Sequence, residues 1–220
     1  SVVLHQAGRQ ALPEPLLEVG VLSASVVNHL THESNLAKEI ASQIISGESI
    51  VITAAENYRA GGTSELADAT INKDDVVLMG KLRTFPLASE VDFILVPASI
   101  DGEFSLILLP AAETRLIVAP RGLADGTEHA EVTLNGVTVP ANHIIGRGNS
   151  AQNLFTRAIE KYQLLRRRNQ LGLIYDGFKI TPKYFRTRYK FDHTIGRVKH
   201  LKTFTGAPFG HNELSPRSVS

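Results

Sequence analysis

The side chains in this chain that could do chemistry are few and scattered. Cysteine is absent, which excludes thiolate nucleophiles, disulfides and cysteine-ligated metals. His29 and His32 lie three residues apart with Glu33 beside them, a spacing that would put two imidazoles on one helical face. No third ligand accompanies them, so they read as solvated polar residues and no metal site is expected. Arg166-Arg167-Arg168 is a compact basic run that could contact phosphates. It lacks the interleaved aromatics of RNA-binding motifs, so it reads as a solvated helix face and no nucleic-acid partner is expected. No G-x-G-x-x-G, P-loop or G-x-S-x-G is present, so the common phosphate cradles and the nucleophile elbow are missing.

The composition is that of a globular protein: 43% of the 220 residues are hydrophobic. Apolar runs such as Leu106 to Pro110 fall far short of the ~20 residues of a membrane helix, so no membrane partner is expected. The first residues do not have the charged-then-apolar form of a secretory leader. With the lack of cysteine, this fits a reducing, cytoplasmic setting. The net charge of +1 conceals an asymmetry: residues 1–149 carry 9 Lys and Arg against 18 Asp and Glu, and residues 150–220 carry 14 against 4. The basic segment could meet a nucleotide cofactor, an acidic partner subunit or the acidic part of its own chain.

The elements that must position these residues follow from the apolar spacing. Leu12 to Leu30 reads as a helix with Pro13 and Pro15 at its start. A second helix is predicted over Ser34 to Ile45, with Ser34 as N-cap and Gly47 just past its end. From Ser49 the pattern turns to short β-type runs: Ile50–Thr53, Val76–Met79, Phe93–Val96, Leu106–Leu109, Leu116–Val118, Ala130–Leu134 and Val137–Val139. Asp101-Gly102, Asp125-Gly126 and Asn135-Gly136 mark turns between them. After Gly148 helical spacing returns, with Pro182 starting a new helix or kinking the old one. Gly206 to Ser220 reads as a tail. The organisation predicted is α+β: a helical piece (1–47), a β-domain (48–145) built as an antiparallel barrel or sandwich, a second helical piece (146–204) and a tail (205–220).

Three segments, in order, resemble the acyl-CoA dehydrogenase family. The first is Gly8 to Glu18 (GRQALPEPLLE) with Ile40 to Glu56 (IASQIISGESIVITAAE). The second is Leu78 to Ser99 (LMGKLRTFPLASEVDFILVPAS) with Asp125 to Gly146 (DGTEHAEVTLNGVTVPANHIIG). The third runs from Leu171 to His200, where Leu171-Gly172-Leu173, Thr181, Tyr184, Arg188, Phe191, Ile195-Gly196 and Lys199-His200 follow the family's order. The chain thus looks like a truncated or degenerate member with the family's β-domain and flanking helices. The resemblance implies an FAD-dependent α,β-dehydrogenation of an acyl-CoA thioester, in which a carboxylate removes the α-proton and hydride leaves the β-carbon for the flavin. It implies a homo- or hetero-oligomer with another acyl-CoA dehydrogenase-like chain. A non-catalytic structural subunit and a flavin monooxygenase of the same fold are the alternatives.

Carried over residue by residue, the resemblance makes Arg188 the arginine that reaches the FAD pyrophosphate, for which a guanidinium fork is suited. It makes Phe191 the aromatic near the adenine. Thr84, in Thr84-Phe85-Pro86, stands where the family has Trp-Ile-Thr against the flavin, though not in its register. Asp192 replaces a glycine, and Asn57 to Gly62 replaces the usual Pro-Gly-Ser-Gly. The base is the main gap. Some members place it nine residues before the Leu-Gly pair, where this chain has Tyr162, and the neighbouring Glu160 is two residues off. Glu160 is a weak candidate, and no acceptable base is identified.

The isolated chain is therefore expected to show little or no acyl-CoA dehydrogenation. Loss of a general base alone typically removes about 10²–10⁴-fold in rate. Turnover with an acyl-CoA and an artificial electron acceptor checks this, and robust activity would show that a catalytic carboxylate had been missed.

Overall fold

The computed structural model describes residues 2–12, 14–55, 66–86, 91–112, 117–122, 128–190 and 193–194. The chain divides into two compact units, one of Pro13–Leu164 and one of Ser1–Leu12 with Leu165–Ser220.

The first unit opens with a helix of mixed type. After Leu16 and Leu17, the segment Glu18–Ser23 is π-helical, and α2 (Ala24–His29) continues it. The predicted single helix is thus present but carries an extra residue in one turn, which apolar spacing does not reveal. Helix α3 (Asn35–Ser46) begins and ends where its capping residues indicate. Ser34 accepts a hydrogen bond from the Ala37 amide, and Gly47 closes the helix in the left-handed region at φ 79°.

The sheet follows: β1 (Val51–Thr53), β2 (Ala67–Asn72), β3 (Asp75–Pro86), β4 (Phe93–Ile100), β5 (Glu103–Pro110), β6 (Ile117–Gly122), β7 (Glu128–Pro140) and β8 (Ile144–Arg147). Along the sheet the order is β6-β7-β3-β2-β4-β5-β8, with β1 also on β4. The sheet is mixed rather than wholly antiparallel: β1 pairs with Phe93–Leu95 and β2 with Ala98–Ile100 of β4, both in parallel. The reversal into β3 and back makes β4 run the same way as β2, so the two can lie side by side.

Asp101-Gly102 does form the hairpin turn between β4 and β5, with φ 53° and 81° at the two residues. Asn135-Gly136 does not form a turn. It lies inside one long strand, β7, as a bulge where the register against β3 shifts between Leu78 and Met79. Gly136 takes the left-handed conformation at φ 71° that such a bulge requires. The extra residue changes the alternation, so Val132 and Leu134 before it and Val137 and Val139 after it all face the same core. That core is completed by Val76, Leu78 and Leu82 of β3, Ile94, Val96, Ala98 and Ile100 of β4, and Ile107 and Leu109 of β5.

Strands β4 and β5 are buried on their other face too. Leu95, Leu106 and Leu108 are fully buried, and the Phe104 ring lies 5.7 Å from that of Phe155, on α4 (Gly148–Thr187). Gly146 leaves room for Leu30 and Ala151 at that face, since a Cβ there would come within 3.2 Å of both.

The second unit is built from α1 (Val2–Arg9) and the later part of α4. Two glycines let the backbones approach: a Cβ on Gly8 would overlap the Asn169 carbonyl, and one on Gly172 the His5 carbonyl. Arg9 pairs with Asp176 at 3.1 Å, and Lys179 sits 4.3 Å from the Tyr175 ring centroid. Helix α4 continues through Pro182. Residues 56–65, and 206–220 where a tail was expected, lie outside the described residues. Among the described residues no helix is long and apolar enough to cross a membrane.

Gly172→Ala should lower stability by about 1–3 kcal/mol, because the added methyl meets backbone that cannot step aside. Gly177, on the same helix, has nothing within 4 Å of an added Cβ, and Gly177→Ala should be neutral or stabilise by about 0.5–1 kcal/mol. Urea unfolding followed by circular dichroism separates the two.

Candidate functional site

In the unit of residues 13–164 the polar groups converge on the π-helical turn. The Ser23 hydroxyl donates to the Glu18 carbonyl at 2.8 Å. A second contact of 2.8 Å joins the buried Ser23 and Thr53 hydroxyls. With the Ser23 proton committed to Glu18, Thr53 is the donor of that pair. The backbone of the turn is thereby tied to β1. The side chain of Glu18 is tied elsewhere: the Tyr162 hydroxyl donates to its Oε1 at 2.8 Å, across 144 positions of sequence. Tyr162 is buried, at 8% exposure, while the Glu18 residue is half-buried. A half-buried carboxylate is thus fixed through both its main chain and its side chain.

The residues singled out from the sequence fall in different places. Glu160 is exposed on α4. Two positions along a helix turn the side chain about 200°, so Glu160 does not share the face on which Tyr162 meets Glu18. Arg188 is exposed and follows directly on α4, its amide donating to the Tyr184 carbonyl at 2.9 Å. Thr84 lies in β3 between Leu82 and Phe85, where the register against β7 is irregular. Phe191 and Asp192 lie outside the described residues. His29 uses Nδ1 on the Ser25 carbonyl of its own helix, and His32 and Glu33 are exposed. Among the described residues no group of three or more His, Asp or Glu is placed to hold a metal. Arg166 and Arg167 are exposed on α4 and Arg168 is half-buried.

Sequence reasoning missed Glu18, Ser23 and Thr53 as a group. The available signal was slight: two polar residues within the apolar run from Leu16 to Leu22 and its continuation. Nothing local pairs them with Thr53 or Tyr162.

The chain is 27% identical over 194 residues to acyl-CoA dehydrogenase FadE27 of Mycobacterium tuberculosis, covering 88% of this chain and 50% of that protein. It superposes on a chain of the ChsE4-ChsE5 complex from the same organism with a TM-score of 0.77, at 23% identity, over 96% of this chain and 56% of that one. In sequence and in fold the chain is similar to acyl-CoA dehydrogenases. A glutaryl-CoA dehydrogenase from Mycobacterium smegmatis, in complex with FADH2, has the same fold at a TM-score of 0.67 and 16% identity, over 85% of this chain and 50% of that one. The chain matches no protein-family model. It spans about half the length of the curated relative it matches. Its α+β architecture is that of the family.

A guanidinium at Arg188, exposed beyond the last turn of α4, can bind two phosphate oxygens at once. If the chain holds FAD, Arg188→Ala should weaken its binding by about tenfold or more, the value of one charge-assisted hydrogen bond of about 1.5–3 kcal/mol. Flavin content per folded protein checks this; altered stability with unchanged flavin content would mean that Arg188 has only a structural role.

Proposed function

We propose that this chain is one component of an acyl-CoA dehydrogenase assembly that carries out FAD-dependent α,β-dehydrogenation of an acyl-CoA thioester. The observation that carries this reading is the likeness over most of the chain to an acyl-CoA dehydrogenase, with Leu171-Gly172-Leu173 and Arg188 in the family's order along the sequence. In this reading Arg188 holds the pyrophosphate, Phe191 is the aromatic near the adenine, and Thr84 belongs to the segment that stands where the family has its flavin-side residues. The bound flavin would supply the oxidising power by accepting hydride. The chain's own task is to hold the thioester in line, keep water away and accept the α-proton.

The assembly reading is supported by the likeness to a chain of a two-component complex and by exposed Leu164, Leu171, Leu173, Ile174 and Ile180 on α4. Apolar residues left in solvent along one helix favour association with another chain of the family, in a cytoplasmic setting. A second reading, a non-catalytic subunit, is favoured by one fact: the α4 position that carries the base in some members holds a buried tyrosine.

A visible spectrum of the purified chain tests both, with and without a co-expressed family partner. Flavin bands that bleach anaerobically on addition of an acyl-CoA, without NADPH, are expected for the first reading. Bleaching that requires NADPH would indicate a monooxygenase. Protein free of flavin in both preparations would leave only the structural role.

A further inference from the structure

Building on the reading above, we propose that Glu18 is the carboxylate that takes the α-proton of the acyl thioester, with Tyr162 as the residue that positions it. A base for a weakly acidic C–H needs three properties. It must be a carboxylate or similar group, it must be held still, and it must be drawn partly out of water. Glu18 has all three. It is half-buried. Its carbonyl is bound by Ser23, which is bound in turn by Thr53 of β1. Its Oε1 is bound by Tyr162 of α4. Among the described residues that is the carboxylate's one hydrogen bond, so Oε2 is left to accept a proton.

Tyr162 itself cannot fill the role. A phenol ordinarily titrates near pH 10, and the Tyr162 proton is already committed to Glu18. Glu160 is exposed, and its place on the helix turns it away from this contact. Yet the α4 position used by some members for their base is one hydrogen bond from a carboxylate. The acid function has not vanished from this part of the fold; it comes from the π-helical turn. Single-residue π insertions inside α-helices are often found at functional sites.

The step balances without an oxidant. The Cα–H bond breaks, its proton passes to Glu18 Oε2, and the electron pair stays on Cα, spread into the thioester carbonyl. Reversal returns a proton from the carboxylate to carbon. In deuterium oxide the returned nucleus is deuterium, so the step can be observed even where hydride transfer is impossible.

The test uses the full chain and an acyl-CoA whose β-carbon is quaternary, and follows deuterium incorporation at Cα by mass spectrometry. The wild-type chain should catalyse exchange. Glu18→Gln, which preserves shape and can still accept from Tyr162, should slow it by about 100-fold or more. Tyr162→Phe should slow exchange by about tenfold, the value of one hydrogen bond of about 1.4 kcal/mol, while leaving acyl-CoA affinity unchanged. Glu160→Gln should exchange like wild type. Circular dichroism confirms that each variant is folded, and calorimetry measures acyl-CoA binding. Exchange that survives Glu18→Gln, or that is lost in Glu160→Gln, overturns the assignment. Binding of acyl-CoA without exchange by the wild-type chain overturns Glu18 as base and leaves family function standing, in favour of the non-catalytic subunit. Failure to bind either acyl-CoA or FAD overturns both.

Discussion

Burial of the β4–β5 hairpin on both faces is the constraint from which the larger unit follows. A strand pair that is apolar on both sides cannot sit at the surface of a single layer. One side, through Ile94, Val96, Ile107 and Leu109, closes on β3 and β7. The other, through Leu95, Leu106, Leu108 and Phe104, has to be covered, and Phe155 at the start of α4 meets Phe104 there. The helical segments before and after the strands are therefore part of one folding unit with them. That unit runs from Pro13 to Leu164, across the points where the patterning changes from helix to strand and back. It is also why residues as far apart as Glu18 and Tyr162 can meet.

Much of this was legible where local chemistry and tertiary demand agree. Ser34 and Gly47 bounded α3 because capping is settled within one turn. Asp101-Gly102 marked a hairpin because positive φ at two successive positions suits few other pairs. Asn135-Gly136 carries the same local signal and plays a different part. A left-handed glycine serves equally in a tight turn and in a bulge, and only the pairing of β7 with β3 on both sides of it decides between them. Pro182 does not end α4, which runs on to Thr187. Strand β2, with Asp68, Thr70 and Asn72 facing solvent, was too polar to stand out as a β-type run.

The site was less legible because its parts are not neighbours in sequence. Arg188 stands in the family's order along the sequence, whereas nothing local singles out Glu18. A lone carboxylate beside an apolar run is most often a solvated residue, and only the fold brings Tyr162 to it. Glu160 is exposed on α4 and does not share the face on which Tyr162 meets Glu18.

The π-helical turn links these points. In an α-helix the Ser23 hydroxyl would lie beside a carbonyl three or four residues back; here it reaches the carbonyl five residues back, that of Glu18. One added residue per turn rotates everything before it by about 100° relative to everything after it. Leu22, Val26 and Val27 keep their buried positions on the C-terminal side of the insertion, while Glu18 on the N-terminal side is turned to meet Tyr162. In regular α-helical register the two demands would compete, because the face that buries the leucine and valines would set the direction of the carboxylate. The insertion uncouples them. The buried Ser23–Thr53 hydroxyl pair then holds the irregular turn by satisfying a carbonyl that the wider turn presents. Helix packing and carboxylate placement are thus met by one segment, and the Ser23–Thr53 hydroxyl contact is the bond that keeps both in force.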